Sequence, residues 1–132
     1  MRKIFIGASA AALLACVALP AAAQGYDGVT TITSATSGRQ IFTYICQACH
    51  MANAKGGTGA ATIPALAGNP RLKNAGYPII RVLRGHGAMP GFATVLTPAE
   101  IAKVVTYVRT HFGNNYADPV TEADVTKLAA SP

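Results

Sequence analysis

Apolar residues fall at helical spacing most clearly in "TPAEIAKVVTYVRTHFG", where Ile101, Val104, Val105 and Val108 recur in three- and four-residue steps. Thr97 stands where an N-cap is needed, Pro98 at the first helical position, and Glu100 completes a capping box. The pattern predicts a helix with one buried face that ends at Gly113. "SGRQIFTYICQACH" predicts another: Ser37 and Gln40 form a capping box, and Ile41, Phe42 and Ile45 supply the apolar side. A third, shorter helix is expected from near Pro78 to the Gly85–Gly87 region, and Thr121 with Asp124 forms a capping box that could start a fourth. "ANAKGGTGAATIPALAGNP" and "AMPGFATVL" hold too much Gly and Pro for continuous helix and are expected as loops. No alternating strand pattern stands out, so the expected class is all-α with long irregular connections.

The N-terminus changes what the rest can be. "MRK" precedes an apolar run of 16 residues and then "PAAAQ". A basic start, an apolar stretch and small residues before a polar one make a secretory signal peptide, with cleavage expected after Ala23. The run is shorter than the roughly 20 residues that cross a bilayer, so no stable membrane insertion is expected. Lipid attachment at Cys16 fits poorly, because Leu14 suits a lipid box badly and a good cleavage site lies just downstream. The segments expected are a signal peptide over 1–23, an extended lead-in over 24–36, one domain over 37–114, and a tail over 115–132 with a possible short helix. The mature chain would be exported to the periplasm, with a length that suits one small domain.

Cleavage leaves nine Lys and Arg against five Asp and Glu, and leaves Cys46 and Cys49 as the remaining cysteines. No acidic residue lies between Gly28 and Ala99, where Arg39, Lys55, Arg71, Lys73, Arg81 and Arg84 fall. That asymmetry is either an ordinary solvated surface or a basic collar around whatever the cysteines hold. Nucleic acid is a poor match for an exported, moderately basic chain with few aromatics.

The chemistry concentrates in "CQACH". A redox disulfide of this spacing normally opens a helix beside a parallel sheet, whereas this pair lies near the end of a helix with no sheet expected. Zinc needs about four ligands, and only His86 and His111 remain to join Cys46, Cys49 and His50. Covalent haem attachment uses the same residues without strain. Cysteines one helical turn apart point the same way, so two thioethers can form along one edge of a porphyrin while His50 reaches the iron. An electron-carrying haem then needs a sixth ligand. Met51 adjoins His50 and cannot reach the opposite face, which leaves Met89 in "GHGAMPGF" ahead of His86. Pro90 favours an extended Met89, and flanking glycines permit a close approach. His111 reads as a helix-end cation.

The order of helix, "CQACH", "IPALAG", short helix, "GAMPGF" and capped final helix resembles class I cytochrome c, in the small bacterial form that accompanies periplasmic dehydrogenases. The likeness runs from about Ser37 to Asn114. It implies three to five short helices around one covalently bound haem c. Cys46 and Cys49 would be the thioether anchors, and His50 and Met89 the iron ligands. It also implies that the Pro64 carbonyl accepts a hydrogen bond from the His50 ring, that Leu66 packs on the haem, and that Gly38 and Phe42 meet Tyr107 where the first and last helices of the domain cross. The function implied is single-electron transfer and not enzymatic catalysis, from a periplasmic dehydrogenase as donor to an oxidase or another cytochrome as acceptor. A permanent subunit of one dehydrogenase complex is the alternative. A haem protein with an open iron site and a zinc-stabilised binding module are more distant ones.

Overall fold

The computed structural model describes residues 37–59 and 62–132. The expected signal peptide (1–23) and lead-in (24–36) lie outside the described residues.

The first helical segment runs in three parts: α1 (Gly38–Ile41), a π-helical turn (Phe42–Cys46) and α2 (Gln47–His50). The Ser37 hydroxyl accepts from the Gln40 amide at 3.2 Å and the Gln40 side chain accepts from the Ser37 amide at 3.1 Å, which is the capping box expected. The π turn was not legible in the sequence. Its wider turn lets the Gln47 amide donate to the Phe42 carbonyl. One residue is thereby added to the turn, and the inward side passes from Ile41 and Phe42 through Cys46 to His50.

A short antiparallel pair follows, β1 (Gly57–Thr58) with β2 (Thr62–Ile63), in the register Gly57 to Ile63 and Thr58 to Thr62. It corrects the strand-free expectation; two residues per strand are too few to leave a period in the sequence. A 3-10 turn (Pro70–Lys73) leads to α3 (Gly76–Arg84), which begins two residues before Pro78.

Helix α4 (Pro98–Thr110) carries the Thr97–Glu100 capping box, with the Glu100 carboxylate 2.8 Å from the Thr97 amide. It buries Ile101, Val104, Val105 and Val108, the face that the spacing predicted. It stops three residues before Gly113. His111 is already extended, and Phe112 takes φ +58° to turn its ring inward, 4.8 Å from the Phe42 ring. Packing of one aromatic side chain therefore overrides the glycine stop signal.

Helices α1 and α4 cross at Gly38. A methyl group there would lie 2.1 Å from the Lys103 carbonyl oxygen and 2.8 Å from Tyr107 Cβ, so only glycine permits the contact. Phe42 meets Tyr107 beside it, with ring centroids 5.9 Å apart.

The last segment folds back as α5 (Glu122–Ala129), started by the Thr121–Asp124 capping box, and packs on α4 and α3. Its Val125 is fully buried. Arg109 makes this return possible. Its guanidinium is buried at 0% exposure and donates to the Leu72 carbonyl at 2.9 Å, the Lys73 carbonyl at 3.2 Å and the Asp118 carbonyl at 2.5 Å. It also spans both Asp118 carboxylate oxygens, at 2.9 and 2.8 Å.

Arg109→Ala should lower unfolding free energy by about 3 kcal/mol, because three buried or half-buried carbonyls lose their donor. Asp118→Asn should cost much less, since that carboxylate is exposed. Hydrogen bonding from Arg109 holds the Asp118 carboxyl below its usual range. Its contribution is thus complete at neutral pH and disappears as pH falls through that depressed value. Urea denaturation of the two variants checks the ranking; equal losses would refute it.

Candidate functional site

The end of α2 and the loops at 51–56, 62–67 and 85–92 hold the residues singled out from the sequence. Cys46 is half-buried on the inner side of the first helical segment, Cys49 is exposed one turn later, and His50 is buried beside it. Both sulfurs are free thiols. Burial pushes the Cys46 thiol up to about 11. A redox cysteine pair works through a thiol lowered below its ordinary value, so this site is tuned the wrong way for disulfide exchange. Among the described residues, no three His, Cys, Asp or Glu side chains converge to hold a metal ion.

His50 Nδ1 lies 3.1 Å from the Pro64 carbonyl oxygen. A carbonyl can only accept, so Nδ1 carries the proton and donates. Burial lowers the affinity of the ring for a second proton, with partial opposition from the Pro64 carbonyl. The imidazole is therefore neutral near pH 7, and the lone pair on Nε2 faces away from the bond that fixes the ring. A neutral imidazole oriented through Nδ1, beside two thiols one turn apart, is a donor set that fits a covalently anchored haem.

The chain reverses sharply to make that bond. Met51 leaves the helix at φ +67°, ψ 161°, a conformation almost confined to glycine and worth about 1–3 kcal/mol of strain. The Ala54 amide donates to the Met51 carbonyl at 3.0 Å, and the Gly56 amide to the His50 carbonyl at 3.1 Å. The buried Ala54 carbonyl then accepts from both Leu66 and Ala67, at 2.8 and 2.9 Å. Gly56, at φ +63°, permits the final approach: a methyl group there would lie 2.2 Å from the Ile63 oxygen and 2.9 Å from the Pro64 oxygen. Leu66 is half-buried against the core. Sequence reasoning missed Gly56 and Ala54. The "GG" after Lys55 was the available signal, since a glycine pair marks backbone that needs positive φ or a close neighbour.

Met89 is half-buried in the 85–92 loop. His86 and Met89 pair through their backbones, at 2.9 and 3.1 Å, and the Phe92 amide donates to the Val82 carbonyl at 2.8 Å. The close approach that the flanking glycines permit is to the chain itself. A methyl group on Gly85 would lie 2.3 Å from the Met89 oxygen, and one on Gly91 would lie 2.8 Å from the Leu83 oxygen. Gly87, by contrast, has open space around it. The loop is fastened to the end of α3, which fixes the Met89 backbone. His86 is exposed, and so is His111, whose Nδ1 lies 2.9 Å from the Tyr107 carbonyl oxygen. Nearby, Arg81 lies over the Tyr77 ring at 5.1 Å, and Arg71 and then Arg81 hold the Tyr77 hydroxyl below its usual range.

A helical domain with a Cys-x-x-Cys-His turn and a backbone-oriented histidine defines a c-type cytochrome domain. Residues 33–108 match the sequence profile of the family described as cytochrome C oxidase, cbb3-type, subunit III, and the chain belongs to this cytochrome c family, whose members carry covalently bound haem c and serve electron transfer. It is 34% identical over 109 residues to the cytochrome c subunit of a quinone alcohol dehydrogenase from Gluconacetobacter polyoxogenes, covering 73% of this chain and 23% of that protein. The corresponding subunit from Gluconobacter oxydans (strain 621H) is 31% identical over 121 residues, covering 77% and 25%. A fructose dehydrogenase cytochrome subunit from Gluconobacter japonicus is 30% identical over 112 residues, covering 74% and 23%. The chain thus spans about a quarter of the length of these relatives.

Gly56→Ala should destabilise the protein by about 1–3 kcal/mol, because either Pro64 or the loop at 51–56 must shift and φ is positive. Gly87→Ala has the same positive φ without the clash, so it should cost less. Denaturant midpoints of the two variants decide this, and equal losses would show that the Pro64 contact is not what Gly56 protects.

Proposed function

We propose that this chain is a periplasmic monohaem cytochrome that takes single electrons from a dehydrogenase and passes them to an oxidase or another cytochrome. The observation that carries the reading is the buried His50 ring, neutral and fixed by Pro64, next to Cys46 and Cys49. Those two cysteines would hold haem c through thioethers, and His50 and Met89 would ligate its iron. The bound group would supply a one-electron iron couple. The protein's part is positional. Pro64 fixes the plane and tautomer of the His50 ring, the fastened 85–92 loop sets the Met89 backbone, and the apolar residues around Ile45 and Leu66 keep water out. Among the described residues, no helix is long and apolar enough to cross a membrane. Export rests on the leader, which the sequence alone supports.

A second reading has a specific observation in its favour. Three relatives are named as cytochrome subunits of dehydrogenases. By that analogy this chain would stay bound to one such enzyme as its electron outlet. Co-purification with a larger dehydrogenase favours this reading over free shuttling.

Expression with a c-type haem maturation system, followed by intact mass, tests the proposal. The expected mass is that of residues 24–132 plus one haem; a bare chain short of two hydrogens would mean a disulfide and end the haem reading. In the loaded protein, Met89→Ala should keep the mass but lower the midpoint potential by on the order of tenths of a volt and open the ferrous iron to carbon monoxide. An unchanged potential would exclude Met89 as a ligand.

A further inference from the structure

The segment that presents Pro64 is held by a residue from beyond α4. Asn114 is buried at 6% exposure, and all three of its side-chain hydrogen-bonding contacts are with backbone groups. Its amide nitrogen donates to the Leu66 carbonyl and to the Val108 carbonyl, both at 2.9 Å. Its oxygen accepts from the Asn69 amide at 2.9 Å. Asn69 in turn donates from its side chain to the Ala65 carbonyl at 2.7 Å. The Leu66 carbonyl is therefore pinned by the buried Asn114 amide, which is anchored to the last turn of α4, and the Ala65 carbonyl by Asn69, whose backbone N–H the same amide accepts.

The geometry points to Asn114 as a positioning residue for His50: it clamps the 65–69 loop so that the Pro64 carbonyl stays on the ring Nδ1. This inference rests on the haem reading above, because it concerns the proximal side of that site. The chemistry of the amide suits the role. Two carbonyls need donors and one backbone N–H needs an acceptor, and asparagine is the side chain of this length that offers both. An aspartate in its place would keep the acceptor but turn a carboxylate oxygen toward the two carbonyls. Alanine would leave all three groups unpaired, at a cost that the loop can relieve only by moving. Movement there is transmitted to Pro64 within two residues, and its extent is set by the bonds that remain, from Leu66 and Ala67 to the Ala54 carbonyl and from Gly68 to the Phe112 carbonyl.

The test reads the Nδ1 proton of His50 directly, by nuclear magnetic resonance on the reduced, diamagnetic holoprotein. Intact mass first establishes that the wild-type chain carries haem; a chain without it overturns the haem reading and this inference together. With haem present, Asn114→Ala is compared with Val125→Ala, which weakens the core under α5 and leaves the 65–69 loop alone. The exchange rate of the His50 Nδ1 proton is measured relative to backbone amides of α4 in the same sample. In Asn114→Ala the ratio should rise about tenfold or more, with the ratio in Val125→Ala near the wild-type value. If Asn114→Ala gives no folded protein, Asn114→Asp is read in the same way, since it keeps the acceptor for Asn69 while replacing the donors to Leu66 and Val108. Equal ratios in the asparagine and valine variants would overturn the inference while the haem reading stands.

Discussion

One contact organises the site: the hydrogen bond from His50 Nδ1 to the Pro64 carbonyl, at 3.1 Å. It requires an imidazole at the end of a helix to meet a backbone oxygen that lies in a loop fourteen residues later. Almost every irregular feature nearby serves that meeting. Met51 leaves the helix in a conformation few side chains tolerate, Ala54 offers its carbonyl twice, and Gly56 has no side chain because the Ile63 and Pro64 backbone occupies the space. The strain at Met51 and the missing Cβ at Gly56 are local costs. They are offset by hydrogen bonds that leave no buried side-chain nitrogen or oxygen unpaired among the described residues.

Parts of this were readable in the sequence for reasons that can be stated. Capping boxes are short-range devices, and all three appear where Ser37, Thr97 and Thr121 indicated them. The apolar stripe of α4 was readable because a helix with one buried face repeats its pattern over several turns. The Gly38 crossing with Tyr107 followed from family resemblance, since nothing in the spacing of a single glycine says which backbone comes close. The π turn at Phe42–Cys46 and the two short strands were not readable, as neither lasts long enough to establish a period. The end of α4 was misjudged because Phe112 packs on Phe42 from another helical segment, and such a partner is invisible to a local pattern.

Buried polar residues were the largest gap. Arg109 follows Val108 in a helix whose apolar stripe predicts core, yet nothing in its local pattern marks a charged residue as buried. Its burial becomes favourable because five donor contacts are met at once by groups from two parts of the chain. A guanidinium presents its donors as a fixed planar fork, so it can bind carbonyls from Leu72 and Lys73 on one side and Asp118 on the other. Asn114 is missed for the same reason. Neither residue can be recognised from its neighbours in sequence, because its partners lie 36 to 48 residues away for the contacts that bridge the loops.

The same argument changes how the basic residues should be viewed. Six Lys and Arg fall in the acid-free stretch, and as a string they suggest a continuous collar. In the folded chain they do different things. Arg84 turns to the C-terminal segment, where it donates to the carbonyls of Leu128 and Ser131, and helps to hold α5 against α3. Arg71 and Arg81 gather at the Tyr77 hydroxyl, so two positive charges meet at one phenol on the surface of α3. A tail that the sequence left without a role thus takes one arginine for folding and leaves a pair concentrated at one place. The charge available to a partner is then set by how the chain closes on itself as much as by the count of basic residues.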